Sequence, residues 1–184
     1  MNRFAEYLTC IAQVNDLGKG SIVKWFFHNG MLFLSRDKWW GDFKHRSSVH
    51  EGMDITFYKT KTGDLEHFDT SIKVPAIADG VLINICNDFL GQTLVVEHKK
   101  ECTSNQRVIM VYAHLVPTKS LKKGAFIRKG SIIAQVCDTI KNPQLPPHLH
   151  FSCFGVPCNI PPENLNWNLF SKQADINMIH PIFL

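Results

Sequence analysis

Three histidine-bearing clusters stand in a fixed order along the 184 residues: His50-Glu-Gly-Met-Asp54, Tyr112-Ala-His114-Leu115 and His148-Leu-His150. They supply five side chains able to hold one metal ion and to work a water molecule beside it. A catalytic zinc site takes three protein ligands from His, Asp, Glu or Cys and keeps a fourth position open. An H-x-x-x-D pair plus one histidine of H-x-H makes such a set. Two histidines then remain for proton handling and charge stabilisation in a hydrolysis. Each piece alone is weak. An isolated H-x-H is more often a surface pair or a core histidine with a backbone partner, H-x-x-x-D is commoner still, and His114 alone reads as a hydrogen-bonded strand end. The weight lies in the combination.

The elements that must position these groups follow from periodicity. Pro147 to Phe154 alternates apolar and polar residues, the period of a half-buried strand. On it His148 and His150 share one face, while Leu149 and Phe151 point into a core. His50 and Asp54, four apart, fall on one side of either a strand or a helix, and Gly52 between them allows a close backbone approach or an unusual dihedral. Gly80 to Ile85 and Gln92 to Glu97 read as strands linked by Asn87–Gly91, and Arg107 to His114 and Phe126 to Val136 add two more. Asn29-Gly30 between the apolar runs Ser21–Phe27 and Met31–Ser35 predicts a hairpin. Residues 2–14 are the best helix candidate, and the prolines of Asn142–Pro147 exclude helix before His148. The expected fold is all-β to β-rich α+β, a single domain on antiparallel sheet with the site in a groove on a sheet face.

At this point the chain resembles the lysostaphin-type zinc metallopeptidases, whose pattern runs H-x-G-x-D, then Y-A-H-L, then H-L-H-F. All three are intact and in order. Val74–Val81 is similar to the family's strand-turn segment, Gly124–Ala134 to its paired-glycine hairpin, and His180–Leu184 to its closing strand. The resemblance covers residues 44–184 and leaves 1–43 as an N-terminal elaboration packed on that domain. It implies His50, Asp54 and His150 as zinc ligands and His114 and His148 as the catalytic pair. It further implies an endopeptidase that cuts peptide bonds in peptidoglycan stems or cross-bridges with a metal-activated water, in the cell envelope or outside the cell. No H-E-x-x-H occurs, so the site is built on a sheet and not on the usual metalloprotease helix.

Two stretches are longer than the family pattern needs, Lys59–Asp69 and Gly155–Trp167; both join near the motifs and are expected to shape the groove. The rival reading is a zinc-retaining, non-catalytic module that binds wall or protein, its groove blocked by residues 59–69. A second rival is a carrier-like β-domain, suggested by Lys123-Gly124 and Lys129-Gly130; it needs no five-residue site.

Composition bounds the rest. A 45% hydrophobic content supports one sizeable core, and a net charge of +4 is modest. The basic cluster Lys119, Lys122, Lys123, Arg128 and Lys129 reads as a solvated hairpin face, and no basic stripe interleaved with aromatics suggests nucleic acid. No run reaches membrane-span length, and the first ten residues lack the h-region and cleavage site of a signal peptide. The six cysteines read as mostly reduced, with Cys153 and Cys158 placed to pair or to stay as thiols and Cys86, Cys102 and Cys137 in or beside strands. His98 reads as solvent-facing or close behind the site, His67 as a surface residue, and Trp39-Trp40 as core or groove lining.

Overall fold

A computed structural model of the chain describes residues 3–19, 22–98, 105–140, 142–172 and 176–183. In order, the elements are α1 (Arg3–Val14), β1 (Lys24–Phe26), β2 (Gly52–Ile55), β3 (Phe57–Lys59), β4 (Leu65–Glu66), β5 (Lys73–Pro75) and β6 (Gly80–Asn87). There follow β7 (Gln92–Glu97), β8 (Gln106–Pro117), β9 (Phe126–Ile127), β10 (Ile132–Val136), β11 (Leu149–Pro157), a single helical turn α2 (Trp167–Phe170) and β12 (Asn177–Ile179). Nine strands form one antiparallel sheet whose main path is β12-β11-β8-β7-β6-β9; β2 joins at β11, and β10 joins β8 to β5. A small sheet, β1-β3-β4, stands apart. The expected β-rich α+β architecture is present.

The central strand β8 is apolar on both faces because both are covered. Met110 and Tyr112 enter the main core, whereas Ile109 and Val111 enter a second cluster with Phe154 and Phe170. β11 behaves likewise: Leu149, Phe151 and Cys153 face the main core and Phe154 and Val156 enter the second cluster, so the strand is buried from Leu149 to Val156 and not half-buried as its alternation suggests. Helix α1 closes the main core with Phe4, Tyr7 and Ile11, spaced to share one helical stripe; the Tyr7 ring lies 5.3 Å from that of Phe151. Tyr112 of the second motif is structural: its hydroxyl accepts from the Ile77 amide at 3.1 Å.

Several expectations fail for local reasons. Asn29–Met31 is a 3₁₀ turn, not a hairpin, and β1 pairs with β3. Met31 is drawn into a small core with Trp39 and Leu145, and Gly30 lies so close to the Asp37–Trp39 backbone that a Cβ would sit 2.6 Å from the Asp37 carbonyl. The run Phe126–Val136 breaks at Gly130 (φ 80°) into β9 and β10, which pair with different strands. The closing strand is β12; Pro181–Phe183 is a 3₁₀ turn, and Leu184 lies outside the described residues. His98 is buried, with Nδ1 at 2.6 Å from the Asp79 carbonyl. Cys153 is a buried thiol and Cys158 an exposed one, unpaired with each other; Cys102 falls outside the described residues. No described helix is long and apolar enough to cross a membrane.

Gly52 answers to close approach, not to an unusual dihedral. A Cβ there would lie 2.6 Å from the Phe151 carbonyl and 2.9 Å from His150 Nε2, and would press on Ser152 Oγ. Gly52→Ala is expected to destabilise the fold by about 1–3 kcal/mol, as overpacking does, which a thermal melt reads as roughly 2–4 °C per kcal/mol. An unchanged Tm would show that β2 can move away from β11 freely.

Candidate metal centre

β2 lies antiparallel to β11 with Asp54 directly opposite His150. His50, just before β2, folds over the same spot. Three donor atoms converge: His50 Nε2 to Asp54 Oδ1 is 3.2 Å, His50 Nε2 to His150 Nδ1 is 3.1 Å, and His150 Nδ1 to Asp54 Oδ1 is 2.9 Å. All three residues are buried.

The far atoms of each residue fix which atom faces inward. His50 Nδ1 donates to the Leu32 carbonyl at 3.1 Å, which leaves Nε2 bare. His150 Nε2 stands 2.6 Å from Ser152 Oγ, a hydroxyl able to accept from Nε2–H in the tautomer that leaves Nδ1 bare. Asp54 Oδ2 accepts from Trp39 Nε1 at 2.6 Å and faces Arg46 Nη2 at 3.5 Å, so Oδ1 is the inward oxygen. Two bare imidazole lone pairs and a carboxylate oxygen thus point at one another, an arrangement that is repulsive without a cation between them. Zinc–nitrogen and zinc–oxygen bonds of about 2.0–2.2 Å set tetrahedral ligand edges of about 3.3–3.5 Å, a few tenths of an ångström beyond those present. The donor set fits a metal ion.

Two further histidines flank the cluster. His148, immediately before β11, donates from Nδ1 to the Pro146 carbonyl at 2.9 Å, and its Nε2 stands 3.9 Å from Asp54 Oδ1. Burial pushes its pKa down to about 3 against the opposing pull of Asp54, so its ring is neutral near neutral pH. His114 lies within β8 and not at its end, edge-on to His148 at 4.8 Å between ring centroids. Its Nδ1 donates to Asp88 Oδ1 at 3.1 Å. The structure thus brings all five sequence-derived residues to one place.

A groove of about 340 Å³ opens over them, lined also by Trp40, Glu51, Phe89 and Trp167. Trp167 stands edge-on to His150, and its Nε1 donates to Thr93 Oγ1 at 2.8 Å. Of the two longer stretches, the 155–167 segment therefore shapes the groove through Trp167. The 59–69 stretch does not line it: Leu65–Glu66 forms β4 of the small sheet, and His67 is exposed. Among the described residues nothing supports the blocked groove. The basic cluster is exposed, with Lys129 paired to Glu6 at 3.0 Å.

Trp39 is core, one of the two readings given to Trp39-Trp40, but its bond to Asp54, the Leu32 carbonyl, Asp88 and Ser152 escaped the sequence reading. Ser152 had a signal, since it is two residues from His150 on the same strand face; the others come from loops distant in sequence.

An antiparallel β-groove floored by a buried His/Asp/His cluster, with two more histidines alongside, defines a metallohydrolase-type centre. The profile of peptidase family M23 matches residues 48–159, more than half of the chain, and the chain belongs to that family. Among solved structures it is similar to a zinc-containing peptidase from Vibrio cholerae (24% identity over 66% of this chain and 31% of that one, TM-score 0.43). It is also similar to Helicobacter pylori Csd3 (19%, 88% and 37%, TM-score 0.42) and to lysostaphin (18%, 69% and 48%, TM-score 0.45). The chain spans about a third to a half of the length of these three. No curated protein matches it.

Trp39→Phe removes one hydrogen bond to Asp54 and keeps an aromatic ring. Zinc affinity, measured by competition with a chromogenic chelator, is expected to fall about 10–100-fold, the usual effect of losing a bond to a metal-binding side chain. Equal affinity would make Trp39 a packing residue only.

Proposed function

We propose that the chain is a zinc-dependent endopeptidase that hydrolyses peptide bonds in peptidoglycan stems or cross-bridges. The observation that carries this reading is the convergence of His50 Nε2, Asp54 Oδ1 and His150 Nδ1 within 2.9–3.2 Å on a groove floor. Membership of peptidase family M23 supports the peptide substrate, and the cell-wall target and an envelope or extracellular location follow from the resemblance of the motifs. In this reading His50, Asp54 and His150 hold the metal. Bound there, zinc supplies Lewis acidity, which lets water ionise near neutral pH and polarises a carbonyl oxygen.

The chain's own groups do the rest. His148 and His114 each donate from Nδ1 to an oxygen behind them, so each has Nε2 left as an acceptor toward the groove. One takes a proton as water attacks the scissile carbonyl. As an imidazolium it then donates to the oxyanion or to the departing amine, so the proton returns to the product. Trp40, Phe89 and Trp167 give the groove aromatic walls beside Glu51, which suits an extended peptide whose backbone supplies most of its polarity.

The test combines zinc quantification with mass spectrometry of cross-linked peptidoglycan after digestion. The wild type should bind one zinc and release new fragments. His114→Ala should keep zinc and lose about 10²–10⁴-fold in turnover, the range of a general acid–base; Asp54→Ala should lose both zinc and activity. Asp54→Ala that retained zinc and full activity would overturn the ligand assignment. Stoichiometric zinc with no fragments from any wall would overturn the activity.

A further inference from the structure

Asp88 lies in the loop between β6 and β7, 26 residues from His114 in sequence, and its side chain is only 1% exposed. Its carboxylate is fully engaged at one corner. Oδ1 accepts from the amides of Leu90 (2.9 Å) and Gly91 (2.7 Å) and from His114 Nδ1 (3.1 Å). Oδ2 accepts from Thr93 Oγ1 (2.8 Å) and from the His114 amide (3.0 Å). Those bonds hold its pKa well below the usual range although burial raises it.

The backbone explains why a carboxylate is needed there. Between Gln92↔Leu115 and Leu94↔Tyr112, β7 advances two residues while β8 advances three, so β8 carries a bulge at Ala113–His114. Of the described non-glycine residues with positive φ, only His114 (φ 65°) lies in a strand. A bulge re-aims a side chain and leaves an amide without its ladder partner. The Asp88 carboxylate accepts from that amide and from the imidazole on the same residue.

We propose that Asp88 is a positioning residue for His114, locking the bulge and fixing the imidazole as the Nδ1–H tautomer so that Nε2 serves the groove. Which ring nitrogen carries the proton is set by the bond that the other ring nitrogen can make, and an orienting carboxylate behind a catalytic histidine acts in this way. The chain of bonds extends outward: Thr93 Oγ1 donates to Asp88 and accepts from Trp167 Nε1 in the groove wall. This inference rests on the proposed role of His114.

The test uses the full-length, zinc-loaded protein. Histidine ¹⁵N NMR of the wild type, with His114 assigned by its absence in His114→Ala, should show a protonated Nδ1 and a bare Nε2. Asp88→Asn, with one acceptor oxygen in place of two, should keep one zinc and leave KM within about threefold. Its kcat should fall about 10–100-fold, as when a supporting bond behind a site residue is lost. In the His114→Ala background the same substitution should cost nothing further. A wild-type His114 protonated at Nε2, an Asp88→Asn kcat equal to wild type, or a full additional loss in the double variant would each overturn the proposal. The tautomer is read without turnover, so a wild type inactive on every wall would sink the proposed function and still leave this inference to be decided. If Asp88→Asn does not fold, the wild-type spectrum decides alone.

Discussion

The pairing of β2 with β11 is the constraint on which the rest of the site depends. Asp54 lies opposite His150, and His150 in turn lies opposite Ala113 of β8, so three strands share one register at the site. A slip of one residue would turn every side chain of a strand to the other face. Asp54 would then leave the histidines, and Met53 would leave the main core. The same apolar burial that stabilises the sheet therefore fixes the donor geometry. Gly52 is the local condition for that register, because the space a side chain would need is filled by the backbone and side chains of β11.

Electrostatics supplies the second layer. A buried carboxylate is costly unless it is paired and hydrogen-bonded, and Asp54 meets Trp39 and Arg46 on one oxygen and two imidazoles on the other. Leu32, Trp39 and Arg46 all precede residue 48, where the match to the family begins. Hydrogen bonds from outside the matched region thus complete the surroundings of the donors. Residues 29–46 are tied to the centre by these bonds and by the burial of Met31 and Trp39 against Leu145.

What the sequence made legible follows from how each feature is encoded. Periodicity places Leu149 and Phe151 in the core and His148 and His150 together, because strand geometry acts over two residues. Helix α1 was readable for the same reason, from a stripe completed within 12 residues. The Asn29-Gly30 hairpin was misread because tertiary packing of Met31 and Trp39 overrides a local turn preference. The alternation of β11 suggested one wet face, yet α2 covers that face with Phe170 stacked on Phe154 at 4.9 Å. The bonds of Asp88 to His114 and of Trp39 to Asp54 had no local signal at all. Their significance arises only when loops 26 and 15 residues away from their partners fold onto the site.

The division of labour between strands and loops also bears on selectivity. The donors sit on or beside β2 and β11, whose registers are pinned by the core, whereas the groove walls come from loops: Trp40 before β2, Phe89 between β6 and β7, and Trp167 after β11. Loops tolerate change that strands do not, so wall chemistry can vary around a fixed centre. Here the separation is incomplete. Phe89 packs edge-on against His114 at 4.7 Å, and Trp167 reaches the same histidine through Thr93 and Asp88. The surface that meets a substrate and the imidazole that handles its protons thus share one hydrogen-bonded frame, and the position of one constrains the orientation of the other.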